Sequence, residues 1–257
     1  MQRFNNATIY RNRRLALLVI ICLVVTLIVI FALSGNETEP VSGKPTFLPT
    51  ARPTSQPSST SNPSIGFVVI DPGHGGYDNG AIGSDGLKNE DDLNLAVALK
   101  VGTYLSELGI TPIYTRTTDD AVLDLENNDQ NKELQGRVDI INSSNAQLAV
   151  SIHMNSYVGN GAEWTDGPEV YYYDNNASSA ESEIWAETMQ SVLNETCEDN
   201  RTHKAGNLMV LRDTNIPAIL IECGFLSCPS EELKLNDEAY QDKIAKAIAN
   251  CIYQNLA

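Results

Sequence analysis

The residues of this chain best suited to chemistry are few, and they sit at the ends of apolar runs. His74 follows Phe67-Val-Val-Ile-Asp71 within Asp-Pro-Gly-His-Gly-Gly, and His153 ends the run Ala149-Val-Ser-Ile-His153. Glu90 opens a helical pattern soon after His74, and Glu222 ends Ala218-Ile-Leu-Ile-Glu222, where Cys223-Gly224 turns the chain. Two imidazoles and a carboxylate suit a single zinc ion with a fourth position open to water. A second carboxylate beside such an ion can act as general base. Each residue alone has a plainer reading. A histidine at a strand end is more often a hydrogen-bonded structural residue, and an acid in a first helical turn complements the helix dipole. A carboxylate closing an apolar strand costs desolvation unless it is matched. The plainer reading needs four coincidences on one rim. His203, beside Arg201 and Lys204, reads as a structural or substrate-rim residue rather than a metal ligand.

Sharing a rim requires that the segments bearing these groups be neighbours in one sheet. Phe67–Asp71 reads as a buried strand closed by Pro72-Gly73, and Ile110–Thr115 and Leu148–His153 as further strands. Leu93, Ala96, Val97, Val101, Tyr104, Leu105 and Leu108 form one stripe of a helix that starts at Glu90 and stops at Gly109. Leu134–Ile141 and Ser179–Leu193 are predicted helices. Gly167–Tyr173, Asn207–Leu211 and Ala218–Glu222 are predicted strands, and residues 237–254 a closing amphipathic helix. This alternation predicts an α/β fold, a mixed and mostly parallel sheet with helices on both faces. Sites in such sheets gather at the carboxyl ends of the strands.

The rest of the chain predicts where this domain works. Residues 15–33, Leu-Ala-Leu-Leu-Val-Ile-Ile-Cys-Leu-Val-Val-Thr-Leu-Ile-Val-Ile-Phe-Ala-Leu, carry no charge. At 1.5 Å per residue such a helix roughly spans a hydrocarbon core of about 30 Å. Arg3, Arg11, Arg13 and Arg14 precede it, so residues 1–14 are expected in the cytoplasm and everything after residue 33 outside it. Ala32-Leu33-Ser34 offers a cleavage site for a secreted form as the alternative. Residues 34–64 hold six Pro and twelve Ser or Thr, the composition of a solvated, disordered linker. Residues 65–257 carry 11 Lys or Arg against 31 Asp or Glu, which argues against a nucleic-acid-binding role. Cys197, Cys223, Cys228 and Cys251 allow three connectivities in an exported domain, with Cys223–Cys228 a candidate bridge.

Six stretches, in order, carry a resemblance: Ile70-Asp-Pro-Gly-His-Gly-Gly76, Gly80-Ala-Ile-Gly83, Glu90-Asp-Asp-Leu-Asn-Leu-Ala96, Tyr114-Thr-Arg-Thr-Thr-Asp119, Ser151-Ile-His-Met-Asn155 and Pro217-Ala-Ile-Leu-Ile-Glu-Cys-Gly-Phe-Leu226. From about Phe67 to the C-terminus the chain resembles the zinc-dependent N-acetylmuramoyl-L-alanine amidases of the amidase-3 type. The resemblance implies a phosphorylase/hydrolase-like fold over residues 65–257. It implies one Zn2+ held by His74, Glu90 and His153, with Glu222 as the catalytic glutamate. Asn155 and Glu169 fall on family motif positions, with a supporting or substrate role. The implied reaction is hydrolysis of the amide between N-acetylmuramic acid and L-alanine in peptidoglycan. A membrane-anchored minimal member is most similar to the germination-specific spore-cortex amidases, and the absence of wall-binding repeats leaves room for an activator protein. Another exported zinc hydrolase, a peptidase or deacetylase, or a catalytically dead wall-binding module, are the alternatives.

Some positions depart from the family pattern. Asp78-Asn79-Gly80 stands where Asp-Pro-Gly is frequent, and Met154 replaces a smaller residue and is expected to reshape the rim. Leu123–Leu134 carries an acidic, Asn-rich insertion expected to be a surface loop, and the interval from His153 to Glu222 is too short for an added inhibitory helix.

Overall fold

Burial of alternate side chains on the two faces of a sheet explains most of this architecture. The structure, a computed structural model, describes residues 65–83, 86–123 and 128–256. The predicted membrane helix at 15–33 and the linker at 34–64 lie outside the described residues. Among the described residues no helix is long and apolar enough to cross a membrane.

Six strands, β1 (Gly66–Pro72), β2 (Ile110–Tyr114), β3 (Leu148–Asn155), β4 (Glu169–Tyr172), β5 (Lys204–Ala205) and β6 (Ala218–Phe225), form one sheet in the order β2-β1-β3-β6-β4-β5. The β1–β2, β1–β3, β3–β6 and β4–β5 pairs are parallel, and β4 runs antiparallel to β6. The expected mixed, mostly parallel sheet is therefore present.

Side chains of period two divide the core. Val68, Ile70, Leu148, Val150, Ile152, Ile219, Ile221 and Cys223 face one layer, built from α1 (Glu90–Glu107), α3 (Ser179–Cys197) and α6 (Glu238–Leu256). Val69, Ala149, Ala218 and Leu220 face the other, covered by α2 (Gln130–Ser143) and α4 (Met209–Arg212). A further short helix, α5 (Pro229–Leu235), follows β6 with Pro229 in its first turn. Along β3 and β6 the second face carries on from Ala149 to Ser151 and His153, and from Leu220 to Glu222. The polar groups thus emerge where the α2–α4 cover ends.

Four expectations need correction. Asn207–Leu211 is not a strand: the strand is Lys204–Ala205, and Met209–Arg212 turns into a helix that packs Val210 and Leu211 on the second face. A continuous apolar run carries no period to distinguish the two. The Leu123–Leu134 insertion is not wholly loop, because α2 already begins at Gln130, with the Asp129 carboxylate accepting from Lys132 N at 3.3 Å. Met154 does not shape the rim; it is buried in the first-face core. The Cys223–Cys228 bridge does not form, and all four described cysteines are free. Cys223 points into the core from β6, whereas Cys228 precedes α5 and its thiol donates to Glu163 O.

Candidate active site

The geometry of the site begins with glycine. A Cβ on Gly73 would lie 2.1 Å from the His153 ring, and one on Gly80, at φ +64°, would lie 2.5 Å from a Glu90 carboxylate oxygen. Only the bare backbone lets the β1–α1 segment fold against both side chains. His74 follows β1 in a left-handed conformation, φ +58°. Glu90 is the first residue of α1, His153 lies near the end of β3, and Glu222 stands directly across from His153 on β6.

All four predicted groups are thus brought to one edge. His74 Nε2 lies 3.1 Å and His153 Nδ1 3.0 Å from Glu90 Oε1, and the donor atoms of the three residues fall within 4.8 Å of one another. Glu90 is buried and well supplied with donors: Ala81 N reaches Oε2 at 2.8 Å, and Met154 N reaches Oε1 at 3.3 Å. Burial pushes its carboxyl up, but the hydrogen bonds from His153 and His74 prevail and hold it well below the usual range. His74 is the counterpart. Burial disfavours its charged form, yet Glu90 and Asp78 raise it to about 9.

Glu222 is treated differently. Its Oε2 is buried with no hydrogen-bond partner, and desolvation pushes the carboxyl up to about 7, with Glu90 adding to the rise and His153 opposing it. Glu169, opposite Glu222 on β4, is buried but neutralised: Arg201 Nη1 reaches it at 2.6 Å and Lys204 Nζ at 2.5 Å, and the Tyr171 hydroxyl donates at 2.8 Å. Its other contact is Asn155 Nδ2 at 3.3 Å, so the two family-motif residues hold each other. His203 does not join the site; its ring lies against Tyr172, centroids 5.8 Å apart. A cavity of about 140 Å³ adjoins His74 and His153, walled in part by Leu134, Val210 and Leu220 of the second face and by the exposed Leu208.

Several residues here escaped the motif reading. Asp78 accepts from His74 Nδ1 at 2.9 Å, which orients the ring with Nε2 toward Glu90. Asp71 is buried and accepts from Thr115 Oγ1, Ser151 Oγ and Arg137 Nη1 at 2.6, 2.6 and 2.7 Å. Arg116 and Arg137 are buried behind the β1–α1 segment. Asp71, Asp78 and Arg116 lie inside or beside quoted motifs; Arg137 carries no sequence signal beyond a charge on a helix.

The donor set, two imidazole nitrogens and a carboxylate oxygen with Asp78 orienting one ring, fits the N/O preference of zinc.

Residues 68–254 match the family described as N-acetylmuramoyl-L-alanine amidase. The chain is 37% identical over 188 residues to the germination-specific N-acetylmuramoyl-L-alanine amidase of Bacillus subtilis (strain 168), covering 70% of this chain and 76% of that one. Its fold is similar to the CwlD amidase from Clostridioides difficile, solved in complex with the GerS lipoprotein. The TM-score there is 0.68 at 35% identity, covering 75% of this chain and 100% of that one. AmiC2 of Nostoc punctiforme gives a TM-score of 0.65 at 34% identity, over 76% of this chain and 99% of that one. With the match spanning nearly the whole described domain, the chain belongs to the N-acetylmuramoyl-L-alanine amidase family, the peptidoglycan amidases.

Proposed function

We propose that this chain is a zinc-dependent amidase that cuts the bond between N-acetylmuramic acid and L-alanine, with His74, Glu90 and His153 as the zinc ligands and Glu222 as the catalytic acid–base. The observation that carries this reading is the meeting of two imidazole nitrogens and the Glu90 carboxylate within 4.8 Å, one strand away from a carboxylate with an unpartnered oxygen. Zinc, when bound, supplies Lewis-acid polarisation and a water acidic enough to ionise near pH 7. The chain's residues supply the rest. Asp78 fixes the His74 tautomer, and the Ala81 and Met154 backbone N–H groups hold the Glu90 carboxylate in place for a metal. Glu222, whose carboxyl burial raises to about 7, would take a proton from the attacking water and deliver it to the departing alanine nitrogen. Asn155 and Glu169 extend the site along the sheet edge toward Arg201 and Lys204.

The relatives support a wider proposal. An N-terminal anchor at 15–33 and a linker at 34–64 would hold the domain outside the cytoplasm, acting during germination, the process in the relative's name, with spore cortex as the proposed substrate. A lipoprotein partner is proposed by likeness to the CwlD–GerS complex. The test is mass spectrometry of purified peptidoglycan digested by the protein with and without a chelator. Intact stem peptides with a free alanine amine, lost on chelation and restored by zinc, are expected. Internally cut peptides, free acetate, or chelator-resistant activity would overturn the reading.

A further inference from the structure

Two buried guanidinium groups converge on the segment that carries His74. Arg116 donates from Nε to Pro72 O at 3.0 Å and from Nη2 to Gly73 O at 2.8 Å. The same Nη2 reaches Asp91 O at 2.9 Å, and Nη1 reaches Thr118 O at 3.0 Å. Arg137 donates from Nη1 to Pro72 O at 2.7 Å and from Nη2 to His74 O at 2.5 Å. Three successive carbonyls, Pro72, Gly73 and His74, thus point at two cations that are each at most 6% exposed. His74 is a non-glycine residue at positive φ, a conformation that survives only where its surroundings dictate it. Arg116 also spans two segments, because Gly73 adjoins His74 and Asp91 adjoins Glu90. Asn94 repeats the link, its Nδ2 lying 3.2 Å from Gly73 O and 3.4 Å from Glu90 Oε1.

We infer that Arg116 and Arg137 are positioning residues for the metal centre, a paired clamp that sets the His74 backbone and its spacing from Glu90. This rests on the zinc reading above. The need for arginine follows from shape. A guanidinium offers five donors in a rigid plane and can hold several carbonyls at fixed angles, whereas an ammonium on a flexible stem cannot bridge them in one geometry. The two arginines divide the work. Arg137 is neutralised by Asp71 at 2.7 Å and Glu133 at 3.2 Å, so it also anchors the second-face core. Arg116 instead donates to four backbone carbonyls, three of them, Pro72, Gly73 and Asp91, within or beside the site.

The test compares wild type, Arg116→Lys, Arg137→Lys and Ile248→Val, the last a buried change on α6 that lowers stability away from the clamp. Zinc affinity is measured by chelator competition, the ligand field by the visible spectrum of the cobalt-substituted protein, and stability by melting in excess chelator. Arg116→Lys is expected to lose zinc affinity roughly 10–100-fold and to alter the cobalt spectrum, at temperatures where the metal-free variant is folded. Ile248→Val should melt earlier with wild-type affinity and spectrum. Should Arg137→Lys fail to fold, for want of its buried ion pairs, Arg116→Lys still decides. Wild-type affinity and spectrum in folded Arg116→Lys would overturn the clamp alone. Failure of the wild type to take up zinc would overturn the clamp and the zinc reading together.

Discussion

Glu90 and Glu222 are both carboxylates beside His153, and the structure surrounds them in opposite ways. Glu90 sits in the corner between the His74 segment and the first turn of α1, where two backbone N–H groups and two imidazoles point at it. Glu222 projects from the middle of β6, with one oxygen buried and unpartnered. Hydrogen bonding overrides burial at the first, keeping it ionised, while burial dominates at the second and lifts its pKa to about 7. Donors that stay fixed suit a permanent ligand, and a group poised near neutrality suits proton transfer. The two proposed roles thus follow from what faces each carboxylate, imidazoles and backbone amides at Glu90 and no partner at the buried oxygen of Glu222.

Breaking the Glu90 side should have the larger effect. Glu90→Ala removes a proposed ligand and the acceptor shared by both imidazoles, so zinc content by elemental analysis should fall to background and turnover with it. Retention of stoichiometric zinc would remove Glu90 from the ligand set. On the other side, Glu222→Gln should keep zinc and fold while lowering kcat/KM by roughly 10²–10⁴-fold. In the metal-free protein the Glu222 carboxyl should titrate near 7, a step followed by carboxyl NMR that should vanish in Glu222→Gln. A variant with wild-type turnover on purified peptidoglycan would leave the contrast without chemical meaning. A finer cut is Asp78→Asn, which keeps the bulk but removes the charged acceptor of His74 Nδ1. Zinc affinity should drop about 10-fold with the metal-free melting temperature little changed; an unaltered affinity would show that Asp78 does not orient the ring.

The contrast was legible in the sequence only in part. Apolar runs ending in His153 and Glu222 revealed both strands, because a strand buried on both faces reads as a nearly continuous apolar run, although β6 carries on through Cys223-Gly224 to Phe225 instead of turning there. Their opposition across β3 and β6 was not legible, since register depends on contacts distant in sequence. Leu208–Leu211 misled because four apolar residues in a row suit a strand or a helical turn equally. Glu133 looked like part of a solvated acidic loop. It is buried, accepting from Val122 N and Leu123 N at 2.8 and 2.9 Å and pairing with Arg137. Nothing local marks it, because its partners come from the loop before α2 and from one turn along the helix. The same holds for Arg137, whose acceptors other than Glu133 lie more than sixty residues away at Asp71, Pro72 and His74.

The smallest expected effect on catalysis, and the one that separates fold from chemistry, lies at Asp71. This carboxylate is buried beneath the site and touches none of the proposed ligands through a hydrogen bond. Burial would raise its pKa, but Arg137, Ser151 and Thr115 together pull it below the usual aspartate range. A carboxyl whose folded-state pKa is depressed adds stability that is fully present above the unfolded value, near 3.9, and is lost as pH falls through the lower folded value. Asp71→Asn removes this contribution and leaves Arg137 with Glu133 as its only anionic partner among the described residues. In metal-free protein at pH 7 the variant should therefore be less stable by about 3 kcal/mol, the lower end of what breaking a buried pair costs. That gap should hold from pH 7 to about 5 and narrow below about 4, as urea titrations across the series would reveal. Glu222→Gln should behave oppositely: its folded pKa is raised, so ionising it in the folded protein opposes folding above the unfolded value, and the substitution should stabilise the metal-free protein at pH 7. Equal pH dependence in the two variants would mean that the surroundings of these buried acids do not set their roles.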